Sequence, residues 1–289
     1  MQMDDHLVLY RKYRPKTFAA VVGQEHVVKT LQAELAQNKV SHAYLFSGPR
    51  GSGKTTVARL LAKAVNCANV PRISERNPAG TLSIRQSLRD GGLQSIEPCN
   101  TCNICKEFNA GKSFDLIELD AASNRGIDEI RELREGVKFS PAVSLKKTYI
   151  IDEAHQLTKE ASNALLKTLE EPPAHAIFIL ATTELDRVLP TIVSRTQHFH
   201  FRKLRTPEIV QRLAGIISQE NRKADPAALL LIARSSGGAL RDAESILGQV
   251  MHTADKEITE QDVRMLLALP AHELTSTFLS AFSQKDVGQ

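Results

Sequence analysis

The sequence is poor in the features that mark membrane, secreted and strongly charged proteins. Its 289 residues contain no tryptophan and only four cysteines. No apolar run approaches the roughly 18 residues that a membrane-spanning helix needs, and residues 1–6 do not resemble a signal peptide. The net charge is only +4, which permits contact with nucleic acid but does not argue for it. These absences predict a cytoplasmic protein without membrane association, whose cysteines are reduced or metal-bound rather than paired in disulfides.

Hydrophobic patterns divide the chain into two regions of different character. Up to about residue 203, strand patterns alternate with helical patterns, which predicts an α/β domain with a parallel sheet flanked by helices. The predicted strands are 43–46, 115–119, 147–152, 176–181 and 197–201. From 204 to 269 only helical patterns occur, so we expect a small all-helical domain without strands. Residues 270–289 begin another helix, and we expect the natural chain to continue into a third domain.

One stretch, Gly48-Pro49-Arg50-Gly51-Ser52-Gly53-Lys54-Thr55, satisfies the phosphate-loop pattern G-x-x-x-x-G-K-[ST]. A predicted strand precedes it, and a predicted helix over 56–67 follows it. The glycines allow the backbone N–H groups to turn toward an anion at the positive end of that helix. Lys54 is placed to reach the β- and γ-phosphates, and the Thr55 hydroxyl to bind Mg²⁺. The motif predicts nucleoside triphosphate binding; a simple glycine turn does not explain the complete pattern and both flanking elements.

Two further strand ends carry polar residues suited to this chemistry. Asp152 and Glu153 end the apolar strand 147–152, where phosphate-loop proteins place the Mg²⁺-binding carboxylate and a residue that polarises the attacking water. A helix N-cap is the structural alternative for Asp152. Thr182 and Thr183 follow the next strand and are candidates for a contact with the water or the γ-phosphate, although threonines at strand ends are common.

Two arginines are candidate phosphate sensors. Arg195 lies in Ser194-Arg195-Thr196, and Arg241 lies near the start of a predicted helix in the second domain. Surface ion pairing is the usual role of arginine, and the residues alone leave both interpretations open.

The spacing Cys99-x-x-Cys102-x-x-Cys105 indicates a metal site, with Cys67 as the fourth ligand available in the chain. Four thiolates suggest structural Zn²⁺ with no open position. An iron–sulfur cluster and free buried thiols are the alternatives, and no following Cys-Pro supports the cluster. The zinc module then covers about residues 67–105, with a polar insertion at 68–98.

Several of these motifs together resemble the bacterial DNA polymerase III tau/gamma family, AAA+ ATPases that drive the sliding-clamp loader. The resemblance covers essentially the whole chain except 69–97. The stretches that carry it are Tyr13-Arg14-Pro15, Val22-Gly23-Gln24, His42 to Pro49, Asp120 to Ser123, Asp152 to His155, Asn163 to Pro173, Ala181-Thr182-Thr183, Ser194-Arg195 and Leu240-Arg241-Asp242. This chain departs from the family in two places: Thr196 replaces a frequent cysteine, and the interval between Cys67 and Cys99 is longer.

The resemblance implies a role for each candidate residue. Residues Gly48 to Thr56 would bind ATP, with Asp152 and Glu153 as the Walker B pair and Thr183, or alternatively Thr182, as the first sensor. Arg241 would be the second sensor, and Arg195 an arginine finger acting on ATP in a neighbouring subunit. The adenine side would be contacted by Tyr10, Arg14 and Val22. The family's zinc ligands match Cys67, Cys99, Cys102 and Cys105.

The resemblance also implies partners. These are copies of the chain and delta and delta-prime subunits in a five-membered ring, the sliding clamp and primed DNA. The polymerase core and the helicase would bind through a C-terminal region absent here. We expect DNA contacts near Arg125 and Lys138. A different AAA+ motor, such as a helicase loader or Holliday-junction motor, would lack the cysteine module. A non-hydrolysing scaffold subunit would usually lack one of Lys54, Thr55, Asp152 and Glu153.

Overall fold

The computed structural model describes residues 8–70, 96–253 and 257–269, which form two compact units. One unit runs from Arg14 to Lys203, and the other joins the described residues before Arg14 to those after Lys203. Most of the predicted insertion and the predicted start of a third domain lie outside the described residues.

The first unit contains a five-stranded parallel sheet in the order β2-β3-β4-β1-β5. The strands are β1 (Ala43–Ser47), β2 (Leu116–Asp120), β3 (Lys147–Asp152), β4 (Ala176–Thr182) and β5 (Gln197–His200). Each lies where the apolar runs predicted a strand, which confirms the predicted α/β class. Because all five strands are parallel, their carboxyl ends meet at one edge of the sheet.

Eleven α-helices and two short 3₁₀ turns are seen within the described ranges. The helices are α1 (Leu9–Lys12), α2 (Glu25–Ala36), α3 (Lys54–Asn66), α4 (Asn103–Ala110), α5 (Ile127–Val137), α6 (Lys159–Glu170), α7 (Pro190–Val193), α8 (Thr206–Gln219), α9 (Pro226–Ser235), α10 (Leu240–Thr253) and α11 (Glu260–Leu266). The 3₁₀ turns are Ala154–Gln156 and Leu185–Arg187. Within these residues, none of the helices is long and apolar enough to cross a membrane.

Strand β1 contributes to two hydrophobic cores, one on each face of the sheet. All five of its side chains are buried. Tyr44 and Phe46 pack in a cluster with α2 and α3, whereas Ala43 and Leu45 pack in a cluster with α5 and α6. This alternation follows from the two-residue repeat of a strand. Helices therefore cover both faces, which explains why the strand sequence is continuously apolar rather than alternating.

Helix α4 was not predicted, because the sequence analysis treated its residues only as part of the cysteine cluster. The sulfur of Cys102 caps its N-terminus by accepting from the Cys105 backbone N–H. Gly111 ends the helix in the left-handed conformation, at φ 66°. The module thus consists of a tight cysteine turn followed by two turns of helix.

The second unit is helical, as expected, except for one feature. Lys223–Ala224 (β6) and Glu257–Ile258 (β7) form a two-residue parallel pair, so the prediction of no strand in this region is wrong. A pair this short carries no alternating pattern that a sequence could reveal.

Residues 8–13 pack with the second unit, whereas the sequence analysis assigned them to the first domain. Lys12 Nζ and Tyr13 Oη each donate to Glu220 Oε1 at 2.7 Å. The Arg212 guanidinium donates to the Tyr13 carbonyl oxygen. These contacts with the middle of α8 and with the residue that follows it are non-local, so the local sequence pattern did not indicate them.

Candidate nucleotide site and metal centre

The phosphate loop joins the carboxyl end of β1 to the N-terminus of α3. Gly48 has φ +144°, and a Cβ atom there would collide with the backbone carbonyl of Phe201. Gly53 has φ +99° with open space where a side chain would be. Only glycine meets both requirements, a left-handed backbone and close approach at Gly48. The loop therefore leaves the N-terminus of a thirteen-residue helix accessible, which is the geometry that binds phosphate.

Lys54 holds its ammonium inside this loop. The residue is only 6% exposed, and Nζ donates to the carbonyl oxygens of Gly48 at 2.8 Å and Pro49 at 3.0 Å. Burial lowers the pKa of Lys54, while Glu153 and Asp152 oppose that shift. Of the other predicted loop residues, Arg50 is exposed and Thr56 is half-buried. The positive charge thus lies within the loop that would receive phosphate.

The predicted metal-binding and catalytic residues meet beside the loop. Thr55 Oγ1 donates to Asp152 Oδ2 at 2.7 Å, which joins the first turn of α3 to the end of β3. A hydroxyl and a carboxylate in contact are suitable ligands for Mg²⁺. Glu153 has φ +49°, a strained conformation for a residue with a side chain. Such strain is common where a residue must be aimed at a reacting group.

Thr183, rather than Thr182, contacts the predicted general base. Its Oγ1 donates to Glu153 Oε2 at 3.0 Å. Thr182 is fully buried, and its hydroxyl is bonded to the backbone of Glu184 as both donor and acceptor, at 3.2 and 3.1 Å. The two adjacent threonines therefore have different environments: Thr182 is the last residue of β4, and Thr183 lies just past the strand.

His155 is a site residue that sequence reasoning missed. Its side chain is 3% exposed, with Nδ1 3.0 Å from Thr182 Oγ1 and 3.5 Å from Glu153 Oε2. Nε2 lies 3.3 Å from Glu184 Oε1. The imidazole therefore connects the base to the strand that carries the threonines. Its position two residues after Glu153 was the only available signal.

Gln24 is a second missed residue. It is fully buried, and its Nε2 donates to Ser52 O at 3.2 Å and Arg202 O at 2.8 Å. The segment that contains half-buried Val22 is thereby attached to the phosphate loop. Arg14, also predicted on the adenine side, is half-buried in the same unit.

Arg195 is held by its own chain. Its guanidinium pairs with Glu170 Oε1 at 2.7 Å and donates to Thr191 O at 2.8 Å. The side chain is 34% exposed. Within the described residues, its hydrogen bonds and ion pairs do not involve the phosphate loop. These contacts are made by the guanidinium itself, so the head group is held in place at a partly exposed position.

Arg241 and Tyr10, two predicted nucleotide contacts, touch each other in the second unit. The guanidinium carbon lies 4.6 Å from the centre of the Tyr10 ring. Hydrogen bonding from Arg241 and its charge lower the pKa of Tyr10. The two side chains therefore form a cation–π pair within that unit.

The residues expected to contact DNA lie at the surface on either side of α5. Arg125 is exposed, and Lys138 pairs with Glu135 at 2.5 Å.

All four cysteines lie together, with their sulfur atoms within 4.8 Å of one another. Cys67 and Cys105 are buried, and none of the four forms a disulfide within the described part of the chain. A tetrahedral ion with metal–sulfur bonds of about 2.3 Å requires sulfurs about 3.8 Å apart, so this cluster fits a four-thiolate site. Cys67 joins the cluster despite its distance in sequence.

Backbone amides point at the sulfur atoms. The N–H groups of Cys99, Cys102 and Cys105 donate to sulfurs at 3.4, 3.3 and 3.5 Å. Hydrogen bonds from Thr101 and the Cys102 amide lower the pKa of Cys99 to about 5. Burial instead raises the pKa of Cys105, so these hydrogen bonds favour the thiolate, the metal-binding form of cysteine, at Cys99.

Two sequence families match the chain. The family described as "DNA polymerase III, delta subunit" matches residues 23–89 and 75–205. The family described as "DNA polymerase III clamp loader subunit, ATPase lid domain" matches residues 208–256.

Curated relatives include DNA polymerase III subunit tau of Bacillus subtilis, 46% identical over 258 residues, which covers 89% of this chain and 42% of that protein. The tau subunit of Escherichia coli is 42% identical over 260 residues, covering 90% of this chain and 37% of that protein. The chain thus spans about two fifths of the length of these relatives.

Among solved structures, the Thermotoga maritima RuvB Holliday junction branch migration motor superposes with a TM-score of 0.58 at 18% identity. The match covers 89% of this chain and 72% of that one. At this identity the likeness concerns the fold alone.

Proposed function

Because the chain belongs to the family of DNA polymerase III clamp-loader subunits, we propose that it is an ATP-driven motor of a clamp loader. It binds and hydrolyses ATP to open a sliding clamp and load it on primed DNA during replication. The observation that carries this proposal is the contact of Thr55 with Asp152, beside Glu153, at the mouth of a complete phosphate loop. That set of residues serves hydrolysis as well as binding.

Each residue of the site has a proposed task. The loop amides and Lys54 bind the phosphates, and Thr55 and Asp152 hold Mg²⁺, which offsets charge on the phosphate oxygens. Glu153 orients the attacking water and accepts its proton. Thr183 fixes the Glu153 carboxylate through its 3.0 Å hydrogen bond. Arg241, Tyr10, Arg14 and Val22 complete the nucleotide contacts of the same chain.

Arg195 acts in trans on ATP bound by the next subunit. Its partial exposure and its anchoring to Glu170 and Thr191 support this role, because the head group is held at the surface. Hydrolysis then depends on assembly. The proposed ring combines copies of this chain with delta-type and delta-prime-type subunits. The clamp and primed DNA are its substrates, and the polymerase core and helicase bind through further sequence.

The four cysteines hold a structural Zn²⁺ in this proposal. Four sulfur ligands leave no open position for a reacting molecule, so the ion stabilises the fold instead of taking part in hydrolysis. Cys67 follows the last residue of α3, and the ion therefore fixes the far end of the helix that begins at the phosphate loop.

The test is ATP turnover by the full-length chain, alone and with its partner subunits, clamp and primed DNA. Turnover should be slow alone and rise with the complete set. Arg195→Ala should reduce turnover of the assembly by about 10³-fold or more, with ATP affinity preserved, because the finger acts on the transition state. Arg205→Ala, which removes an exposed guanidinium that pairs with nearby Glu208, is the matched control.

Fast turnover by the chain alone, indifferent to Arg195, clamp and DNA, would contradict the proposal. That result would describe an autonomous ATPase on the same fold. Zinc content, measured by elemental analysis of the same preparation, tests the metal assignment separately.

A further inference from the structure

Lys63 is a buried lysine that the nucleotide site does not use. It lies in the last turn of α3 and is only 3% exposed. Its ammonium donates to three acceptors, Lys16 O at 2.8 Å, Asn100 Oδ1 at 2.7 Å and Asn109 Oδ1 at 2.8 Å. All three of its N–H groups are therefore satisfied.

Those three acceptors are neutral, so they solvate the ammonium without cancelling its charge. A buried charge without an opposite charge nearby is costly. The groups that can carry negative charge near Lys63 are two cysteines of the cluster, Cys105 and Cys67, and the carboxylate of Glu97. Cys67 follows Lys63 by four residues at the end of α3. Burial lowers the pKa of Lys63, and the charge of Lys16 adds to this shift, while Cys105, Cys67 and Glu97 act in the opposite direction.

The metal centre in turn has a charge to compensate. Four thiolates and one divalent ion carry a net charge of about −2. Lys63 is a buried ammonium whose hydrogen bond to Asn100 joins it to the turn that carries Cys99 and Cys102.

Asn100 is the link between them. It lies between Cys99 and Cys102 and has φ +57°, a left-handed conformation that needs support in a residue with a side chain. Its Oδ1 accepts from Lys63 and from Asn109 Nδ2, at 2.7 and 3.1 Å. Its Nδ2 donates to Lys16 O at 3.1 Å. Lys63 thus fixes the turn that spaces the sulfur atoms.

We propose that Lys63 is a positioning residue of the metal centre, acting as its buried counter-charge and as the anchor of the Asn100 turn. This inference rests on the proposed binding of a metal by the four cysteines. It predicts that Lys63 controls metal retention without touching the nucleotide, although both sites share α3.

The experiment compares full-length wild type with Lys63→Met, Lys63→Gln and Lys106→Met. Lys106 is the matched control, because it is exposed and immediately follows the ligand Cys105. Zinc content is measured by elemental analysis, zinc affinity by competition with a chromogenic chelator, and ligand geometry by the visible spectrum of the cobalt(II)-loaded protein. Affinity for a fluorescent ATP analogue reports on the other end of α3.

Lys63→Met should weaken zinc binding about 10- to 100-fold, the usual effect of losing an outer-layer partner of a metal site. Lys63→Gln keeps a hydrogen-bond donor but not the charge and should weaken it as well. Lys106→Met should bind zinc as wild type does, and ATP affinity should be unchanged in every variant.

Wild-type zinc affinity in Lys63→Met would overturn the inference, and wild-type affinity in Lys63→Gln would overturn the counter-charge. If Lys63→Met does not fold, as judged by circular dichroism, Lys63→Gln decides the question. If the wild-type protein takes up neither zinc nor cobalt, the metal centre itself is refuted. That outcome differs from a failure of the Lys63 inference, in which the wild type and the variants bind the metal equally well.

Discussion

The two ends of α3 are both candidate binding sites, but the chain builds them in different ways. At the N-terminus, the site depends on backbone conformation: Gly48 and Gly53 both adopt positive φ, and the phosphate loop leads directly into the first turn of the helix. At the C-terminus, the site depends on side chains. The sulfur of Cys67 lies with those of three cysteines that are distant in sequence, and hydrogen bonds fix the side chains of Lys63 and Asn66.

This difference has a functional consequence. A phosphate loop must release its ligand in every cycle, and a preformed backbone cradle can be emptied without rearranging the core. A four-thiolate centre is closed, and its ion remains as part of the structure. The N-terminal end of α3 is therefore suited to a ligand that exchanges, and the C-terminal end to an ion that stays bound.

The largest expected effect comes from Cys105→Ser, which removes one of the four candidate metal ligands at the C-terminal end of α3. Removing a direct ligand should cost more metal affinity than the roughly 100-fold lost with an outer-layer partner, and stability should fall with it. ATP affinity should stay within about 0.5 kcal/mol of wild type if the ends act independently, since distant sites are usually additive. Elemental analysis, urea unfolding and nucleotide titration measure the three quantities.

Asn103→Ser, an exposed change in the same module, serves as the control for Cys105→Ser. A large loss of ATP affinity in Cys105→Ser alone would show that the two ends are coupled through α3.

The corresponding change at the N-terminal end of α3 is Gly48→Ala, in the phosphate loop. The added methyl meets the Phe201 carbonyl, and the backbone is strained at φ +144°, so we expect a loss of about 3 kcal/mol in folding stability and weak ATP binding. Zinc content should be retained. Gly53→Ala, which has positive φ but open space, should cost only about 1 kcal/mol, because strain acts there without a clash.

A smaller effect is expected at Asp115, which supports the loop over residues 142–144. Its carboxylate accepts from the backbone N–H groups of 142, 143 and 144 at 2.8, 3.0 and 2.7 Å. Burial raises its pKa, but these bonds together outweigh burial and lower it. Asp115→Asn should cost about 1–3 kcal/mol at pH 7, the usual loss for hydrogen bonds to a charged group.

The pH dependence of the folding stability tests whether the pKa of Asp115 is lowered in the folded protein. Because the folded pKa is lowered, the Asp115 contribution is complete above the ordinary value of 3.8 and is lost as the pH falls from there through the folded pKa. Asp115→Asn should therefore reduce the acid slope of the urea midpoint. Exposed Asp128→Asn should leave that slope unchanged, and equal slopes in all three proteins would refute the assignment.

The smallest expected effect calibrates the others. Thr158 caps α6, its Oγ1 accepting from the Ala161 N–H at 3.2 Å, and belongs to neither end of α3. Thr158→Ala should cost about 1 kcal/mol of stability with zinc content and ATP affinity unchanged. Thr158→Ser keeps the hydroxyl and should restore the stability, and a variant that lost either ligand would show that the two sites respond to any destabilisation.

Much of this organisation could be predicted from the sequence because its signals are local. The apolar runs predicted all five strands of the large sheet, and Gly48 to Thr55 identified the turn between β1 and α3. Helix α4 and the β6–β7 pair escaped prediction because they are short and have no distinct pattern. Gln24 and His155 escaped because a buried polar residue gives no sign of its partners until distant segments meet.

The sequence by itself determined which chemical groups are present and the local shapes they need: the phosphate loop, a carboxylate pair at a strand end and thiols at metal-binding spacing. These depend on residues close in the chain. Only the tertiary structure decided which groups meet: Thr183 rather than Thr182 at Glu153, Cys67 with Cys99, and Lys63 beneath the cysteine turn. Such choices depend on packing between segments far apart in sequence, where burial and hydrogen-bond satisfaction select one arrangement.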